Sequence, residues 1–279
     1  MVAREAKIWG SLNAHYNDAL KLYPNDRIVG VFLQGSQNYN LDDEYSDIDT
    51  KVILTPSFKE LAMNSKPVST THVRDNEEHF DAKDVRLYFD TFRKSNLNFV
   101  EILFTDYYII NPMYQSFWNW LLSRREEIAR MNPYRAIKSM QGIAKEKYHA
   151  MEHKYPSKLH LIEKYGYDGK QLSHLVRVYE FLYNYIHHPE ISYKENMIPK
   201  DVDMIKGLKR EPFIPLNKAR KMAKFFINEV DNLVNYSLSI YPEENENEEV
   251  LKFIREVQYN IMTLSVQNEF GVMKKYGIN

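Results

Sequence analysis

The pattern of apolar and polar positions changes character at about residue 130. Before that point, residues 5–22 have the apolar spacing of a helix, and short runs rich in Val and Ile follow. Ser57, with Glu60 three residues later, forms a capping box for a further helix, and Asp84 is suited to cap another. The runs rich in Val and Ile and two similar segments predict four strands, at 27–33, 49–55, 68–73 and 78–82.

Helical spacing dominates the rest of the chain, with Pro, Gly or acidic breaks between the segments. The predicted helices cover 134–154, 168–187, 217–239 and 248–264. The pattern therefore predicts an α+β fold, in which a small mixed β-sheet flanked by helices (1–130) is followed by an all-helical domain (131–279). We expect a ligand in the cleft between the two.

Composition excludes several classes of protein. The chain of 279 residues has no cysteine, which excludes disulfides, zinc–cysteine clusters and thiol catalysis. No apolar run approaches the ~20 residues of a membrane helix, and the start of the chain, MVAREAKIWGSL, lacks the apolar core of a signal peptide. These features predict a cytoplasmic protein without membrane contact.

Charge is distributed unevenly along the chain. Residues 1–130 carry 19 Asp and Glu against 15 Lys and Arg, whereas residues 131–279 carry 19 against 22. One interpretation is an acidic wall for metal ions that faces a basic wall for phosphates. The other is ordinary fluctuation of charge, and the sequence leaves both open. The net charge of −1 argues against a general nucleic-acid coat.

The stretch FLQGSQNYNLDDEYSDIDT, residues 32–50, carries the candidate chemistry. Asp47 and Asp49 stand two apart at the start of a predicted strand, so their carboxylates project from the same face. Two such carboxylates repel each other unless a cation bridges them. Oxygen ligands favour Mg²⁺ or Mn²⁺. Gly35 and Ser36 end the preceding strand and could cradle a phosphate. The alternative is a polar loop in which the Asp residues cap turns.

This stretch resembles the signature of the DNA polymerase β-like nucleotidyltransferase superfamily, in which a strand leads to Gly-Ser and then to Asp-apolar-Asp. More narrowly, it is similar to the predicted nucleotidyltransferases of bacteria and phages. Two later segments, KSNLNFVEILF (94–104) and GYDGKQLSHLVRVYEFL (166–182), resemble stretches of that narrower group. The chain departs from the family pattern at Gln37, where Arg is usual, and at Asn40, where Gly is usual.

The resemblance implies two Mg²⁺ (or Mn²⁺) ions held by Asp47, Asp49 and a third carboxylate on a nearby strand. We select Asp81, at the end of the predicted strand, over Asp84, which is needed as a helix cap; both remain candidates. Gly35, Ser36 and Gln37 are then the nucleotide-binding candidates of the loop. Gln37 carries no charge where the family pattern has Arg. Basic residues from the second half of the chain would therefore have to supply the positive charge.

The helix around residue 170 offers such residues. Its apolar stripe leaves Lys170, His174 and Arg177 aligned on the opposite side, at i, i+4 and i+7. These side chains either form a solvated face or contact a triphosphate. Glu101 lies in an apolar, strand-like run at 98–104, where a buried acid should have a partner.

Together, these features predict a Mg²⁺-dependent nucleotidyltransferase that passes NMP from an NTP to an acceptor and releases pyrophosphate. A small molecule, a protein side chain and an RNA 3′ end remain open as acceptors, and the oligomeric state is not determined. The alternative is a non-catalytic nucleotide-binding or toxin–antitoxin-type interaction protein that keeps the fold.

Overall fold

A computed structural model describes residues 2–209, 214–243 and 246–275. The α+β fold is confirmed: a five-stranded mixed sheet is built from the first half of the chain, and the second half is helical. The strands lie in the order β3-β4-β2-β1-β5. They are β1 (Ile28–Gln34), β2 (Asp49–Leu54), β3 (Ser69–Val73), β4 (His79–Asp84) and β5 (Tyr108–Ile110).

The pairing of the strands positions the loop between β1 and β2. These two strands are antiparallel, and the register places Gln34 opposite Asp49. Strand β4 runs parallel to β2 on its other side, with Phe80 beside Thr50. The start of β2 therefore lies between the end of β1 and the start of β4.

Six helices accompany the sheet: α1 (Val2–Leu22), α2 (Phe58–Ala62), α3 (Val85–Arg93), α4 (Leu97–Val100), α5 (Gln115–Ser123) and α6 (Arg125–Ala129). The helical half contains α7 (Pro133–Ala150), α8 (Leu159–Tyr165), α9 (Gly169–His187), α10 (Tyr193–Met197), α11 (Val202–Lys209), α12 (Leu216–Leu238) and α13 (Glu248–Lys275). Short 3₁₀ turns lie at Ser36–Tyr39 and Glu101–Leu103, among others. None of the helices in the described part of the chain combines the length and apolar character needed to cross a membrane.

The core lies on both faces of the sheet. On one face, Ala19 of α1 packs with Val31, Val52 and Phe80. On the other face, a larger cluster joins the sheet to the helical half, so that Phe32 belongs to the same buried cluster as residues of α7, α9 and α12. Helix α9 is buried on most of its sides, because α7, α10, α11 and α12 all pack against it. Burial of this kind is the main source of stabilisation for an amphipathic helix.

The local capping signals behave as the sequence predicts. The Ser57 hydroxyl accepts the N–H of Glu60 and the Glu60 carboxylate accepts the N–H of Ser57, so the capping box is present. Asp84 accepts the N–H of Arg86 at the start of α3.

One prediction of local structure is wrong. The apolar run at 98–104, interpreted as strand-like, forms α4 and a 3₁₀ turn instead. Asn96 caps this segment by accepting the N–H of Asn98, which favours a helical start. Strand β5 is an edge strand of three residues that the pattern did not indicate.

Candidate active site

The loop after β1 turns sharply at Gly35. This residue has φ 94° and ψ −152°, a conformation that is open essentially only to glycine. A 3₁₀ turn (Ser36–Tyr39) follows, and Asn40 ends it in the left-handed region at φ 59°. Asn40 therefore adopts the conformation for which Gly is usual, as an Asn can.

Gln37 forms a hydrogen bond inside the loop between β1 and β2. Its side chain is buried, and its amide nitrogen donates to the carbonyl oxygen of Asp47 at 2.7 Å. From the other side, Arg4 of α1 donates to the carbonyl oxygen of Gln37 at 2.8 Å and to the carboxylate of Asp42. The connector thus folds back so that Gly35 and Ser36 line the same cavity as Asp47 and Asp49.

The two carboxylates differ in their surroundings. Asp47 is exposed, Ile48 is buried and Asp49 is half-buried, which is the alternation expected of a strand. Asp49 Oδ1 accepts the backbone N–H of His79 at 3.1 Å and lies 2.9 Å from His79 Nδ1. This hydrogen bond to Asp49 raises the pKa of the His79 imidazole. No hydrogen bond or ion pair from the described residues reaches the Asp47 carboxylate.

Helix α9 also lines the cavity. Lys170, His174 and Arg177 all line it, together with the loop residues Gly35, Ser36, Gln37, Asp47 and Asp49. Its volume is about 310 Å³, at the small end of the range for ligand pockets. Eight of the nine predicted site residues are therefore brought together, although 121 positions separate Asp49 from Lys170 in the sequence.

The basic wall is partly desolvated. Burial, with added repulsion from Arg177 and Lys170, lowers the pKa of the His174 imidazole well below its ordinary value. Lys170 is exposed at the cavity, and Arg177 is buried with its guanidinium 4.0 Å from the ring centroid of Tyr39. A neutral imidazole between two cations can accept or donate a hydrogen bond.

Sequence reasoning missed the basic residue Lys209 of α11. Its Nζ lies 2.9 Å from Ser46 Oγ and 3.2 Å from the carbonyl oxygen of Leu41, and burial lowers the pKa of its ammonium group. The next residue, Arg210, lies outside the described residues. Asp43 also lines the cavity.

The predicted third carboxylate, Asp81, does not line the cavity. Its two oxygens are engaged by Lys51 Nζ at 2.7 Å and by the hydroxyl of Thr71 at 2.6 Å. The alternative, Asp84, is buried, caps α3 and binds Arg86. The residue of β4 beside Asp49 is His79.

The side chains available to bind a metal ion in the cavity include carboxylates. Asp47 and Asp49 provide carboxylate oxygens, which suit Mg²⁺ or Mn²⁺. Within the described residues, no group of three His, Cys, Asp or Glu side chains is placed to share a metal. The cavity is thus lined by carboxylates of the type that suits these ions, but no three of the described side chains are grouped to share one ion.

Comparison with known proteins adds little on chemistry. No family model and no curated protein matches the chain. Among solved structures, it is similar to a nucleotidyltransferase-like protein from Exiguobacterium sibiricum, at 11% sequence identity and a TM-score of 0.30, over 82% of this chain and 75% of that chain. A likeness at this level does not indicate a function for this chain.

Proposed function

We propose that this protein is a metal-dependent nucleotidyltransferase that moves NMP from an NTP to an acceptor and releases pyrophosphate. The observation that carries the proposal is that Asp47 and Asp49, the Gly35–Ser36 turn and the basic residues of α9 all line one cavity. A ligand that suits both walls carries several negative charges and brings a divalent cation, as an NTP does.

Each wall has a distinct task in this proposal. Lys170 and Arg177 bind the phosphate chain, and His174 donates to a phosphate or ribose oxygen. Ser36 contributes its hydroxyl at the turn, where Gly35 leaves room for a close approach. Asp47 and Asp49 would hold Mg²⁺ or Mn²⁺, which when bound activates the attacking oxygen and stabilises the leaving pyrophosphate. His79 keeps Asp49 oriented.

A labelling experiment tests the proposal. Purified protein is incubated with each α-labelled NTP, Mg²⁺ or Mn²⁺, and cell extract separated into small-molecule, protein and RNA fractions. We expect label in one fraction, dependent on the divalent cation and lost with Asp47→Asn. Asp90→Asn, a change at a surface carboxylate paired with Lys94, is the matched control and should transfer label as the wild type does.

The position of Asp81 favours one alternative function, nucleotide binding without transfer. A carboxylate neutralised by Lys51 is also what a nucleotide-binding protein without transfer activity would show. In that case the wild type binds NTP but labels none of the three fractions, and the transferase proposal fails.

A further inference from the structure

Tyr45 is an exposed aromatic side chain at the cavity. It lies in the loop between β1 and β2, lines the same cavity as Asp47 and Lys170, and is 82% exposed. Among the described residues, one other tyrosine lines this cavity, Tyr39, which is 4% exposed and has the Arg177 guanidinium 4.0 Å from its ring centroid. Tyr45 therefore offers an open ring face to a ligand in the cavity, whereas Tyr39 does not.

The backbone that carries Tyr45 is held in a compact turn. Asp43 Oδ1 accepts the backbone N–H of Tyr45 at 3.0 Å, and Ser46 Oγ accepts the backbone N–H of Asp43 at 3.0 Å. Lys209 of α11 reaches the same turn, with its Nζ 2.9 Å from Ser46 Oγ. The side chain of Tyr45 is thus presented from a fixed backbone, and ordering a tyrosine ring costs little conformational entropy because it has two torsions.

Apolar side chains also lie where this loop meets α11. Leu41 and Ile205 line the cavity and are buried. Lys209 Nζ lies 3.2 Å from the carbonyl oxygen of Leu41. Ile205 precedes Lys209 by four residues, so both lie on the same face of α11. This part of the cavity is therefore suited to a flat, largely apolar group with polar edges, since Tyr45 supplies a ring face and Lys209 and Ser46 supply polar groups beside it.

A nucleoside triphosphate carries such a group. In the proposed function, Lys170 and Arg177 bind the phosphate chain and the carboxylates hold the metal ion, so the nucleobase has no assigned contact. Every nucleobase presents a π-face to an aromatic ring, and stacking of this kind adds affinity whichever base is bound. The open ring of Tyr45 meets this requirement.

We propose that Tyr45 stacks on the nucleobase of the bound NTP, in a base subsite that Leu41 and Ile205 also line. The inference rests on the proposed function for the identity of the ligand, but it concerns binding and requires no transfer step. Tyr45 then contributes to the affinity for an NTP and makes no contribution to the affinity for a phosphate chain without a base.

Equilibrium dialysis with Mg²⁺ tests this with two kinds of probe, the four NTPs and inorganic tripolyphosphate. We expect Tyr45→Ala to weaken NTP binding about tenfold and to leave tripolyphosphate binding unchanged, because tripolyphosphate has no base. Tyr45→Trp keeps an aromatic face and should bind NTPs at least as tightly as the wild type. Tyr259→Ala is the matched control, since Tyr259 is 67% exposed on α13 and does not line the cavity.

The other outcomes identify which claim fails. Unchanged NTP binding by Tyr45→Ala, an equal loss for NTPs and tripolyphosphate, or a Tyr45→Trp variant as weak as Tyr45→Ala would overturn the inference. A wild type that binds tripolyphosphate as tightly as every NTP would also overturn it and would leave the transferase proposal standing. NTP binding that depends on Tyr45 but gives no transfer of label overturns the proposed function alone, and no binding of any NTP overturns both.

Discussion

Two pairs of carboxylates lie on or next to the neighbouring strands β2 and β4, and their surroundings differ. Asp47 and Asp49 precede and begin β2 and line the cavity. On β4, Asp81 binds Lys51 and Thr71. Asp84 binds Arg86 and caps α3. The difference teaches that the fold commits Asp81 and Asp84 to structural partners, whereas Asp49 contacts His79 and still lines the cavity.

The largest expected effect is a difference in transferase activity between variants of the two pairs of carboxylates. Asp49→Asn removes a cavity carboxylate, so we expect transfer of label from NTP to fall by about 100-fold or more. Asp81→Asn should leave transfer within a few-fold of the wild type, because its carboxylate serves Lys51. An equal loss in both variants, measured as initial rates, would show that Asp81 acts in the chemistry, as the sequence predicted.

The next effect concerns stability. Lys51→Met leaves Asp81 with Thr71 but without its cation, and we expect the free energy of unfolding to fall by about 2–3 kcal/mol. Adding Asp81→Asn should restore much of this loss. Urea unfolding of the single and double variants measures the recovery, and a double variant as unstable as Lys51→Met would show that Asp81 is not the cause.

A smaller effect is expected at Asp84. Asp84→Ala removes the cap of α3 and should lower the free energy of unfolding by about 1–2 kcal/mol without affecting NTP binding. Urea unfolding and equilibrium dialysis measure the two properties separately. A loss of NTP affinity at unchanged stability would instead assign Asp84 to the site.

The smallest effect is a pH dependence at the Asp49 side. Because the hydrogen bond to Asp49 raises the pKa of His79 above 6.5, protonated His79 stabilises the fold fully below that value and loses this effect as pH rises through the folded-state pKa. The stability difference between wild type and His79→Gln should therefore be larger at pH 5.5 than at pH 9. A constant difference in urea unfolding at the two pH values would contradict this role.

The sequence could predict what depends on local spacing. The alternation at Asp47 and Asp49 and the shared face of Lys170, His174 and Arg177 follow from strand and helix periodicity. The turn follows from the glycine that ends the preceding strand. The α+β fold follows from the change of period near residue 130.

Contacts that depend on pairing between distant segments could not be predicted. The ion pair of Asp81 with Lys51 requires the parallel register of β2 and β4, and the approach of Lys209 to Ser46 requires the packing of α11 beside the loop. Glu101 was placed on a strand because an apolar run of that length does not distinguish a strand from a buried helical turn.

The central claim is that the carboxylates of Asp47 and Asp49 and the basic residues of α9 bind one ligand. Equilibrium dialysis with α-labelled NTPs and Mg²⁺ tests it on the wild type, Asp47→Asn and Lys170→Glu, with Lys224→Glu, an exposed position on α12, as the charge-matched control. We predict saturable NTP binding to the wild type and to Lys224→Glu, and binding weakened about tenfold or more by each of the other two changes. Wild-type affinity in both Asp47→Asn and Lys170→Glu, or no binding of any NTP to the wild type, would contradict the claim.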